Sequence, residues 1–214
     1  MKNDDWFRGA GWTREAQDVF NAKIARVRGD TRRQQYARIK ALALIESGDA
    51  GKIHAAIELL RKSLHEWPPE YTFETDATYA ALGDAHAAVK EYDAASQAYE
   101  RSLTWDMRST HTGYWRYPLM IITAKLAAQY DKALSIVEKY AAARPLVFET
   151  EKFIYHAVRA VAFQHRGEAA MAHAEAANAL ACAQASRSKF AHHPKTGLVD
   201  ATKYASLIAR LETT

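Results

Sequence analysis

Nine histidines and one cysteine are the first residues of the 214-residue chain to weigh for chemistry. His192 and His193 are adjacent and could chelate a metal, but no third ligand lies near them in sequence, so a solvated loop before Pro194 is the better reading. His156, His165 and His173 fall on the fourth of the helical hairpins described below, the first two on its first helix. The nine-residue step from 156 to 165 turns those two side chains to different faces, which suits core or surface roles. His111 lies in the irregular stretch 108–113 and carries no assigned role. Cys182 stands among alanines, where a lone thiol acts as a small core residue with no base to activate it. A single cysteine also excludes an intramolecular disulfide and a multi-cysteine zinc site, and it suits a reducing, cytoplasmic setting. No nucleophile elbow, phosphate loop or His-Glu-x-x-His occurs. The expectation is a non-catalytic protein that uses neither metal nor cofactor.

A second constellation is basic. Arg8, Arg14, Lys23, Arg26, Arg28, Arg32, Arg33, Arg38 and Lys40 are interleaved with Trp6, Phe7, Trp12 and Tyr36, the groups that phosphate neutralisation and base stacking require. Glu15, Asp18 and Asp30 share the region, and helix surfaces routinely carry Arg and Lys. Nucleic-acid association through this arm is therefore kept as the alternative reading. The net charge of +4 is too small to decide it.

The elements that must position these groups are helices. Only 9 Gly and 5 Pro, with abundant Ala, Leu, Glu, Lys and Arg, argue against a turn-rich sheet protein. The start carries two acids where a signal peptide needs a basic flank, and no apolar run approaches the roughly 20 residues that span a bilayer, so neither export nor membrane insertion is expected. Apolar residues recur at three and four, and four helical hairpins follow one another over 31–185, preceded by a helix over 12–30 and followed by one over 199–212. The small residue early in each second helix is Ala56, Ala95, Ala133 and Ala172, at steps of 39, 38 and 39 residues. A fixed period of that size marks a stack of helical repeats, each too small to bury its own apolar surface alone.

The stretch Tyr79-x-x-Leu82-Gly83-x-x-His86, followed by Tyr92-x-x-Ala95-x-x-x-Tyr99-x-x-Ser102, resembles the tetratricopeptide repeat family. Pro68 and Pro145, each twelve residues beyond an anchoring alanine, sit where that family ends its second helix, whereas Met107 and Gln184 take those places in the other two repeats. The match covers residues 31–185. It implies an all-α right-handed superhelix of four hairpins forming one domain over 1–214, with capping helices at both ends, and a function in protein binding, as an adaptor or neutralising partner, through a concave groove lined by the first helix of each hairpin.

Carried over by register from the small first-helix sites Ala41, Gly83, Ile121 and Ala160, the groove residues are Gln35, Arg38, Asp84, Trp115, Ile122, Lys125, Ile154, Val161 and Gln164. The family's lysine and asparagine clamp for a C-terminal carboxylate does not match these sites. An apolar groove suits a protein or peptide partner that offers an amphipathic helix or a hydrophobic stretch. The chain's own terminal helix or a second copy, as a homodimer, are the competing occupants. A hydrolase without a recognisable motif is the remaining class.

Overall fold

The computed structural model describes residues 6–68, 72–103, 113–190 and 192–214, and among them the chain is wholly helical. Trp105, Met107 and His111 lie outside the described residues. Two compact units divide the chain, Met1–Gly113 and Tyr114–Thr214.

The first unit contains α1 (Arg14–Ile24), α2 (Asp30–Glu46), α3 (Ala50–Glu66), α4 (Thr72–Ala88) and α5 (Tyr92–Ser102). Thr13 caps α1 by accepting the Ala16 N–H at 3.3 Å, and Asp49 caps α3 by accepting that of Lys52 at 2.9 Å. Pairs α2/α3 and α4/α5 form hairpins, and α4 packs on both α2 and α3. Their shared core runs from Phe7, Phe20 and Ile24 through Ala41, Leu44, Ala56 and Leu60 to Ala81, Ala85 and Ala98. Each fully buried Leu in it contributes about 1.5 to 3 kcal/mol.

The second unit contains α6 (Gly113–Thr123), a 3₁₀ turn at Ala127–Gln129, α7 (Tyr130–Ala143), α8 (Glu149–His165), α9 (Ala169–Ala183) and α10 (Ala205–Leu211). Stacked rings of Tyr114 and Tyr140, 5.3 Å apart, tie α6 to α7, while α8 packs on α7 and α9. Glu151, itself buried, starts α8 by accepting the backbone N–H groups of Val147 and Phe148. The closing helix is shorter than the sequence pattern suggests. Residues 199–204 form turns rather than helix, with Asp200 accepting the N–H groups of Thr202 and Lys203.

The repeat is visible in how the hairpins close. All four anchoring alanines, Ala56, Ala95, Ala133 and Ala172, are buried. Each first helix is followed by a residue in the left-handed region: Gly48 (φ 69°), Lys90 (63°), Lys125 (58°) and Gly167 (77°). Beyond the last three of these, the next N–H reaches back to the helix: Glu91 to the His86 carbonyl, Leu126 to Ile121 and Glu168 to Phe163, at 2.9, 3.0 and 2.9 Å. The left-handed residue stands eight positions before Ala56 and Ala133 but five before Ala95 and Ala172. The 3₁₀ turn takes up the extra residues in the third hairpin.

That insertion corrects the register of the third hairpin. Ala41, Gly83 and Ala160 each stand seven residues before the left-handed residue, and the counterpart before Lys125 is Pro118, not Ile121. Shifted back three residues, the places given to Ile122 and Lys125 pass to Leu119 and Ile122, and Trp115 takes the place that matches Arg38. Lys125 leaves the helix face and sits in the turn.

Gly83 shows why the first helix needs a small residue. A Cβ added there would lie 2.8 Å from three ring atoms of Tyr99, whose side chain is buried and whose hydroxyl donates to Asp84 Oδ1 at 2.6 Å. Replacing a helical glycine by alanine gains about 1 kcal/mol of propensity, but overpacking a rigid ring costs about 1 to 3 kcal/mol. Gly83→Ala is therefore expected to lower stability in urea unfolding. Gly83→Ala combined with Tyr99→Leu should lose less than the two single variants added together; strict additivity would contradict the contact.

Candidate functional site

Three of the nine groove residues belong to the first unit. Gln35 is exposed on α2. Arg38 is committed internally, its Nε and Nη2 donating to Glu74 Oε1 and Oε2 at 2.6 and 3.2 Å. With Glu74 on α4 buried, this two-pronged pair clamps α2 to α4. Asp84, half-buried, holds the Tyr99 hydroxyl. Arg38 and Asp84 thus position helices.

The other six lie in the second unit. Trp115, half-buried on α6, meets Tyr140 edge to face at 6.0 Å. Ile122, Ile154 and Val161 are 0, 1 and 1% exposed and offer no open surface. The C-terminal segment covers part of this region: α10 packs on α8 and α9, Tyr204 lies 5.3 Å from the ring of Phe153, and Arg210 Nη1 donates to the Ile122 carbonyl at 3.0 Å. Gln164 is exposed near the end of α8, and Lys125 is exposed in the turn after α6.

The basic arm is largely used within the first unit. Lys40, buried on α2, donates from Nζ to the carbonyls of Gly9 and Gly11 at 2.6 and 2.9 Å and lies over the Trp12 ring, and burial pushes its pKa down. Arg33 bonds the Val27 carbonyl and Asp30. Phe7 stacks on Tyr36 at 4.4 Å, and Trp6 packs against Phe7, Phe20 and Tyr36. Arg14, Arg26, Arg28 and Arg32 remain exposed on the surface.

Two of the histidines tie helices together. His86 pairs through Nδ1 with Glu91 at 2.6 Å, and His156 with Glu175 at 2.6 Å; Arg159 joins the latter pair and also reaches Glu138, linking α7, α8 and α9. His165 meets the Tyr130 ring edge-on, while His192 and His193 are exposed. Among the described residues no three His, Cys, Asp or Glu are grouped to hold a metal ion. Burial pushes the thiol pKa of Cys182 up, and nearby Glu149 adds to the shift. No described helix is long and apolar enough to cross a membrane.

Two clefts were not legible in the sequence. One, of about 610 Å³ in the first unit, runs between α1 and α3, where Asp49 and Glu58 balance Lys52 and Lys62. The other, of about 510 Å³ in the second unit, joins the end of α6 to the C-terminal segment and carries Lys125, Lys203 and Arg210 with no carboxylate in its lining. Its two halves are some 80 residues apart in the chain, so no local spacing could announce it.

Asp76 on α4 is the most perturbed carboxyl. It is 1% exposed, its Oδ1 has no hydrogen-bond partner among the described residues, and burial raises its pKa from 3.8 to about 7. Strongly shifted carboxyls often mark functional sites, but Asp76 lines neither cleft, so its effect is on stability. Chain comparisons with protein-family models, curated proteins and solved structures returned no match. A carboxyl that holds its proton more tightly when folded loses stability as pH rises from its unfolded pKa to its folded one, here from about 4 to about 7. Urea unfolding across this window should show that decline in the parent and a flatter profile in Asp76→Asn; parallel profiles would contradict the assignment.

Proposed function

We propose that the chain is a non-catalytic protein-binding module of tetratricopeptide-like hairpins arranged as a right-handed superhelix, which presents its first helices to a protein or peptide partner. The observation that carries this reading is the shared hairpin closure: buried anchoring alanines at steps of 39, 38 and 39, each preceded by a left-handed residue that ends the first helix. Repeats of this kind are scaffolds for surfaces, and their chemistry lies in what the first helices expose.

On those helices Gln35 and Gln164 are open to solvent, and Trp115 is partly so. A half-exposed tryptophan supplies a large apolar area at small entropic cost, and binding energy concentrates in such residues. Arg38 and Asp84 act one step back, holding the helices that present the surface. Adaptor or neutralising roles both need only this surface. Nucleic-acid association has less support, because Phe7 and Phe20 are buried with Trp6 and Tyr36 packed on them, and Lys40 is tied to backbone carbonyls.

Photo-crosslinking inside the source cells tests the reading. A benzophenone side chain placed at 35 or 164 is expected to give discrete protein adducts, whereas one at Glu58 on α3 or Ala174 on α9, both exposed on second helices, should not. Adducts with nucleic acid alone, or equal yields from both sets of positions, would overturn it.

A further inference from the structure

In the second unit the cleft between the end of α6 and the C-terminal segment collects positive charge with no carboxylate among its described lining residues. Lys125, Lys203 and Arg210 line it, together with the hydroxyl-bearing residues Thr123, Tyr204 and Ser206, of which Thr123 donates its hydroxyl to the Leu119 carbonyl. Asp200 spends Oδ1 on two backbone N–H groups and does not line the cleft. Three cations converging on one concavity repel one another, and a fold gains nothing from gathering them unless an anion answers them.

Cations also gather at helix C-termini, where the helix dipole is negative. That need is already met at α6. The carbonyl of Met120 accepts the Ala124 N–H, that of Ile121 accepts Leu126, and that of Ile122 accepts Arg210 Nη1. Arg210 is further steadied by the Tyr130 hydroxyl at 3.5 Å and by the Tyr130 ring below it. Neither lysine has an ion pair among the described residues, although Lys203 Nζ lies over the Tyr204 ring, 5.6 Å from its centroid. Lys125 also keeps a left-handed backbone, where glycine would be easier.

We propose that this cleft binds a phosphate monoester. A monoester brings a charge of about −1.5 to −2 and three acceptor oxygens, which matches three cations with hydroxyls beside them better than a single carboxylate does. An acidic peptide would spread comparable charge over several residues, more than a cleft of about 510 Å³ can enclose. Ile122 and Leu207 lie beneath the wall at 0 and 4% exposure, so recognition rests on the polar groups that meet the phosphate itself. The monoester is either a small phosphorylated metabolite or a phosphorylated side chain of a partner. The site stands apart from the first-helix surface described above and does not depend on it.

Calorimetric titration of the full chain with phenyl phosphate, with a short phosphoserine peptide and with its unphosphorylated form tests the site. Lys125→Gly removes one charge while easing the left-handed backbone, so the fold is retained, and Lys203→Gln removes another at an exposed position. The expected result is binding of one phenyl phosphate per chain, weakened about fivefold or more by each variant and further by added salt. Tighter binding of the phosphopeptide than of phenyl phosphate supports the site with a protein source, and the reverse supports it with a metabolite source. Equal binding of the phosphorylated and unphosphorylated peptides, undiminished binding of phenyl phosphate in the Lys125→Gly, Lys203→Gln double variant, or no binding by the folded parent would overturn the proposal.

Discussion

Where α4 crosses α5, the ring of Tyr99 rests where a side chain at residue 83 would otherwise stand. The first and fourth hairpins have buried alanines, Ala41 and Ala160, at the matching position, and the third has Pro118. Small residues there let two helix axes approach, and that approach lets larger neighbours fill the adjacent holes. A two-helix hairpin still exposes an apolar face. Within the first unit α4 covers that of α2/α3, and within the second α8 covers that of α7. Close crossing is thus the constraint on which both cores depend.

Polar groups inside these cores are arranged around that packing. Arg38 with Glu74 and Lys40 with the Gly9 and Gly11 carbonyls are buried contacts that orient α2. Burying a charge is costly, so each is supplied with a partner of good geometry, and removal of one partner costs about 3 to 5 kcal/mol where the other stays buried. Asp76 is the exception, and its carboxyl answers by holding its proton. The consequence for function is a division of labour: Arg38 and Lys40, which look available in the sequence, are spent on the fold, while Lys125 and Lys203 have no ion pair among the described residues.

The period was legible because alanine at a crossing is a requirement of packing and recurs wherever the crossing does. The breaks inside the first and fourth hairpins were legible for a similar reason, since Gly48 and Gly167 supply left-handed residues at no steric cost. Lys90 and Lys125 adopt the same conformation without the glycine signal, so the third hairpin was read three residues out of register and Lys125 was assigned to a helix face. Burial of Ile122, Ile154 and Val161 was also illegible, because a groove wall and a core wall carry the same apolar residues. What separates them is contact with a segment distant in sequence, such as Arg210 on the Ile122 carbonyl.

The central claim is that no hairpin here is stable without its neighbour inside the same unit. Native-state hydrogen exchange measured across a denaturant series reads this directly, because amides that open together converge on one free energy. The account predicts that amides of α2, α3, α4 and α5 converge as one group, and that those of α7, α8 and α9 converge as another. Separate convergence of α2/α3 and α4/α5, with each hairpin holding its protection after the other has opened, would contradict it.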